Sequence, residues 1–182
     1  MHPRLIELLE YLDTTRASML GVASRVPVER WRVRPAPDRW SVAEICWHLQ
    51  RVETGVARLV RKRAEQARAD GHPAERPDSP LLGTRDRRGV TDRSQRYEAP
   101  AHVTPPTDIP SAEEAQRLLQ ESREVLRAAI AEADGLALGS LVHPHPAVGP
   151  IDLYEWILFV GLHEKRHESQ IAEIAMATTS TQ

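Results

Sequence analysis

Apolar residues recur at spacings of three and four in four long stretches of this chain, and that period belongs to an α-helix. The first stretch runs from about Arg4 to Arg25, with Leu5, Leu8, Leu12, Met19, Val22 and Val26 along one side and a gap at Thr15. The second opens on Ser41 and Glu44. This is the spacing of a capping box, in which the hydroxyl accepts from an orphan amide and the carboxylate reaches back to the cap. Ile45, Leu49, Val52, Val56, Leu59 and Val60 carry its stripe to about Asp70, where Gly71 and Pro73 end it. Ser111 and Glu114 open the third, which runs through Leu118, Leu119, Val125, Leu126 and Ile130 to about Asp134. Asp152 and Glu155 open the fourth, which continues to about Ala177. The tail, 178–182, is polar and is expected to fray.

No segment alternates apolar and polar residues in the way a half-buried strand requires. The expected fold is therefore all-α: a four-helix bundle formed by residues 1–182 as one domain. Its most unusual feature is the stretch 71–109 between the second and third helices, with Pro73, Pro77, Pro80, Pro100, Pro105 and Pro106. A crossover loop that long is either functional, as a lid, or without fixed structure.

Charge excludes several partners. With 24 Lys and Arg against 26 Asp and Glu, there is no basic excess for nucleic acid. The most apolar run, WILFVGL at 156–162, is too short to span a bilayer, and the N-terminus lacks the apolar stretch of a signal peptide. The single Cys46 rules out an internal disulfide and a cysteine-rich cluster. The expected location is the cytoplasm.

Within the fourth helix lies HEKRH, residues 163–167, the H-E-x-x-H spelling of helical zinc proteases. In heptad phase His167 shares a seam with Leu153, Val160 and Ile174, and His163 shares the other with Trp156, Gln170 and Ala177. Both rings thus face the interior, one turn apart and about 6 Å along the axis. A buried imidazole needs a partner, since an unpaired polar group costs a few kcal/mol. Hydrogen bonds to a neighbouring helix would satisfy that need, and so would a metal. His48 adds weight to the metal reading: it follows Ile45 by three and precedes Val52 by four, so it also faces inward. Three inward histidines on two helices form a facial His₃ set with positions left for water or substrate. Cys46 lies about 200° round the helix from His48 and is a poor co-ligand. A zinc protease is not expected. Residue 173 is Glu where one protease pattern has His, position 170 is Gln where it has Gly, and no edge strand precedes the motif.

With His48 joined to HEKRH, the chain resembles the DinB/YfiT-like superfamily of metal-binding four-helix bundles. The matching stretches are DRWSVAEICWHLQRVE at 38–53 and HPAVGPIDLYEWILFVGLHEKRHESQI at 145–171. They contain the Trp40-Ser41 entry to the second helix, His48, the His145-Pro146-x-x-Gly149 turn, His163, His167 and Gln170-Ile171. The resemblance implies a divalent metal (zinc, nickel or iron) held by His48, His163 and His167, and frequent homodimers. It also implies thiol S-transfer or isomerisation with a low-molecular-weight thiol, or hydrolysis.

Glu164, about 100° round the helix from His163, is a candidate base or ligand-orienting group, with a solvated ion pair as the alternative. Trp40, Trp47 and Trp156 are expected in the core or the pocket wall, and His145 in a turn at the rim. Three functions follow: a metal-dependent thiol S-transferase acting on a small-molecule substrate, a metal-dependent hydrolase using metal-bound hydroxide, and a non-catalytic metal-binding or stress-response protein.

Overall fold

Four long helices carry the predicted apolar stripes, except that Val125 of the third is exposed. The computed structural model describes residues 1–76, 80–82, 89–94 and 97–179. Helix α1 spans Pro3–Ala23, α2 Val42–Ala69, α3 Ala112–Glu132 and α4 Leu153–Thr179. α2 packs along α3, α1 along α4, and α2 meets α4 over a shorter stretch. One apolar core joins Leu8 and Leu12 of α1, Val56 and Val60 of α2, Leu126 and Ile130 of α3, and Ile157 of α4. A second core, at the other end of the bundle, gathers Met19, Trp31, Ile45, Leu49, Leu119 and Ile171. Where α1 meets α4 the helices come close. A Cβ on Gly161 would lie 2.5 Å from Cε1 of Tyr11, so glycine is what admits the ring.

The predicted starts of α2 and α4 are built as capping boxes. Ser41 Oγ accepts from the Glu44 amide at 3.3 Å, and Glu44 Oε2 accepts from the Ser41 amide at 2.8 Å. Asp152 and Glu155 exchange the same pair of bonds, each at 2.9 Å. α3 has the Ser111 cap, accepting from the Glu114 amide at 3.2 Å. α4 extends through Thr179, past the expected end at Ala177, and 180–182 lie outside the described residues.

One expectation is corrected. Two short strands, β1 (Val142–His145) and β2 (Gly149–Asp152), pair antiparallel just before α4. The His145-Pro146-x-x-Gly149 sequence makes their turn. Gly149 has φ +79°, the left-handed backbone that closes a short hairpin connection. The Nδ1 of His145 accepts from the amides of Ala147 (3.1 Å) and Val148 (3.3 Å) and pins the turn from inside.

The stretch expected as a crossover, 71–109, includes 77–79, 83–88 and 95–96, which lie outside the described residues. Its described parts bridge Ala74 to Leu136 and form a single helical turn at Ala101–Val103. Among the described residues, no helix is long and apolar enough to cross a membrane.

Candidate metal centre

α2 and α4 bring His48, His163 and His167 together, as expected from their phase. The Nε2 atom of His163 lies 3.3 Å from that of His48 and 3.1 Å from that of His167. The other ring nitrogens identify the tautomers. Nδ1 of His48 lies 2.8 Å from the carbonyl oxygen of Val103, and Nδ1 of His167 lies 2.7 Å from Oε1 of Gln170. Both acceptors lack a hydrogen, so each Nδ1 carries the proton and donates it. In the neutral rings of His48 and His167, Nε2 is then a bare lone pair. His163 has at most one proton on Nε2 for the two of them, so this triangle is under-satisfied without a cation. Three nitrogens at about 2.0–2.1 Å from a tetrahedral zinc lie about 3.3–3.4 Å apart. The His163–His48 spacing matches, the His163–His167 spacing is slightly shorter, and the three rings, with ligand atoms within 4.8 Å of one another, form a group able to hold a metal ion.

Electrostatics favour the ligand state. Burial, then the neighbouring imidazoles, hold His163 well below the ordinary imidazole range. Burial also lowers His48, against the bond to Val103. His167 is brought down to about 3 by burial and by the proximity of His48. All three are neutral at pH 7, with lone pairs free for a metal.

The triad forms part of the wall of a cavity of about 1080 Å³. Trp40 stacks over His167, with centroids 6.2 Å apart and planes at 12°, and Phe159 stacks over His163 at 5.2 Å and 15°. His145, its ring packed against Trp156 and Phe159, lines the same cavity. Because its Nδ1 accepts two backbone amides, its neutral ring carries the proton on Nε2. Burial lowers its pKa, which keeps it in that neutral form. Trp40 and Trp156 are thus pocket-wall residues, whereas Trp47 lies outside the cavity lining.

Glu164 is placed elsewhere. It does not line the cavity. It points between the helices, where Oε2 accepts from Thr15 at 2.8 Å and Oε1 from Arg16 Nε at 2.7 Å and Arg123 Nη2 at 2.8 Å. Glu53 completes the cluster, accepting from Arg16 Nη2 at 2.8 Å and Arg123 Nε at 2.6 Å. Each helix gives one charged member, all four are buried, and the charges cancel. Glu164 is thus paired with arginine, as the alternative expected, but buried rather than solvated. Its carboxylate is occupied as a structural group behind the histidines.

Cys46 is also away from the cavity, buried in the second core, and burial pushes its thiol up to about 12. The segment between α2 and α3 does reach the site: Val103 provides the acceptor for His48. Arg166 donates to the carbonyl of Val90 at 3.3 Å, and Arg93 pairs with Glu173 of α4.

Fold and site together define an all-α bundle with a three-histidine group between its second and fourth helices. The comparisons with known proteins agree on the bundle and give its family. The family model for the DinB superfamily matches residues 11–171, and the chain belongs to that superfamily. It is 31% identical over 146 residues to YuaE of Bacillus subtilis (strain 168), covering 80% of this chain and 83% of that protein. The crystal structure of TT2238, a four-helix bundle protein, superposes with a TM-score of 0.57 at 19% identity over 95% of this chain and 98% of that one, a likeness of fold.

Proposed function

We propose that this protein is a divalent-metal thiol S-transferase, taking zinc, nickel or iron at His48, His163 and His167 and a low-molecular-weight thiol as co-substrate. The observation that carries the metal assignment is the convergence of three Nε2 atoms, two of them stripped of protons by the bonds at Nδ1. When bound there, a divalent ion with three neutral ligands keeps its full charge and stabilises a thiolate over a thiol.

The chain's own residues do the rest. Val103 and Gln170 fix the orientation of two rings, as outer partners of ligand histidines do. Trp40 and Phe159 cover the triad and limit water. His145 offers a neutral Nε2–H to an acceptor oxygen. Cys46 is unsuited to the reaction because it is buried outside the cavity, so the sulfur must come from a small molecule. In the transfer, the thiol proton leaves to solvent. A sulfur–carbon bond forms on the acceptor as the bond to its leaving group breaks with the electron pair.

The test is cobalt-substituted protein titrated with cellular thiols such as cysteine and glutathione. The expected result is a sulfur-to-cobalt charge-transfer band that saturates. No band with any thiol, together with ester or amide hydrolysis lost in His163→Ala, would move the protein to the hydrolase class.

A further inference from the structure

Four arginines line the cavity that holds the triad: Arg39, Arg51, Arg93 and Arg166. Three are engaged. Arg39 and Arg93 both pair with Glu173, and Arg166 donates to the carbonyls of Val90 and Asp92. Arg51 has no carboxylate partner among the described residues. Its Nε is buried with no hydrogen-bond acceptor among the described residues. Its guanidinium is held over the face of Trp47, 5.7 Å from the ring centroid. A buried N–H with no acceptor is rare in native proteins. Arg63 Nε is in the same state away from the cavity, so it is the place of Arg51 in the cavity wall that gives a ligand access to this donor.

Position gives that ligand its chemistry. Arg51 follows His48 by three residues on α2, one turn and about 4.5 Å further along the axis. Gly55 lines the cavity one turn beyond, and nothing lies within 4 Å of where its Cβ would be, which leaves open space on that side. A ligand anchored at the triad therefore passes Arg51 as it runs along α2. Guanidinium groups match carboxylates through paired, charge-assisted bonds.

We infer that Arg51 is a specificity residue that receives the carboxylate of a small ligand whose other end sits at the three-histidine centre. The substrate class narrows to thiols or acceptors that carry an acid group a few bonds from the metal-binding atom. This rests on the metal reading of the triad, and it holds whether that atom is sulfur or oxygen.

Two ligand pairs test it on the cobalt-substituted protein. One is 3-mercaptopropionate against 3-mercaptopropanol, read by the charge-transfer band. The other is the monohydroxamate of succinic acid against its terminal amide, read by the visible cobalt bands. In each pair that binds, the acid is expected to bind about tenfold tighter or more, as one charge-assisted contact allows. Arg51→Gln brings the two members to within about twofold, and Arg51→Lys, which keeps charge but loses the fork, falls between. Unchanged cobalt bands and circular dichroism in the variants certify the fold and the centre. If thiols give no band while the hydroxamates keep an Arg51-dependent preference, the S-transferase reading falls and this inference stands. Equal binding of acid and neutral members by the unmodified protein, a preference that survives in folded Arg51→Gln, or no binding by either pair overturns it.

Discussion

Nδ1 of His167 lies 2.7 Å from Oε1 of Gln170, one turn further along the same helix. The bond fixes both the ring's orientation and its tautomer, leaving Nε2 to face His163. Gln170→Ala keeps all three histidines but frees the ring. Metal affinity is expected to fall about 10–100-fold, the usual loss when the outer partner of a ligand histidine is removed. Competition with a chromophoric chelator measures it, and the melting temperature of the metal-free protein should hardly move. Unchanged affinity would mean that the bond does not orient the ligand.

The buried cluster of Arg16, Glu53, Arg123 and Glu164 predicts a different outcome for Glu164. Removing one member of a buried ionic set strands the others and costs about 3–5 kcal/mol. Glu164→Gln should lower stability by that order in urea unfolding, while metal bound per folded chain stays at the level of the unmodified protein. A stable Glu164→Gln protein that binds metal normally but loses only turnover would instead make Glu164 a catalytic group.

How much of this was legible in the sequence differs by element. α2 and α4 could be read from their start signals because Ser41–Glu44 and Asp152–Glu155 are local chemistry. The histidines could be placed because three of them share the inward phase of two helices. The ionic cluster was missed although its signal is present: Arg16, Glu53, Arg123 and Glu164 each lie four residues after a core apolar residue, Leu12, Leu49, Leu119 and Val160. One charge on a stripe reads as its edge. Only the vertical alignment of the helices shows that four such residues meet with opposite signs. The hairpin was missed because each strand has four residues and Pro144 faces Pro150, so neither shows alternation or β-propensity. Arg51 gave no signal, since an unpaired cation is recognised only when its neighbours are known.

Acid should destabilise the metal-free protein. His48, His163 and His167 have folded pKa values below the unfolded value near 6.5, with His167 at about 3. In that window the unfolded chain binds more protons than the folded one, so stability rises with pH. Their contribution is complete above about pH 6.5 and is lost as pH falls from there toward 3. Urea midpoints of the metal-free protein between pH 7 and 4 check this, with the loss expected to be reduced in a His48→Ala, His167→Ala double variant. A midpoint that rises on acidification, or one equally steep in the double variant, would contradict the assignment.

Metal analysis of protein purified without a histidine tag tests the central claim most directly. The structure leads us to expect one divalent ion per chain, replaceable by cobalt, and strongly reduced metal in His48→Ala, His163→Ala and His167→Ala alike. Because the ion would tie α2 to α4, its removal should also lower the melting temperature of the unmodified protein. An unmodified protein that takes up no divalent metal, or a His48→Ala protein that retains a full equivalent, would contradict the three-histidine centre.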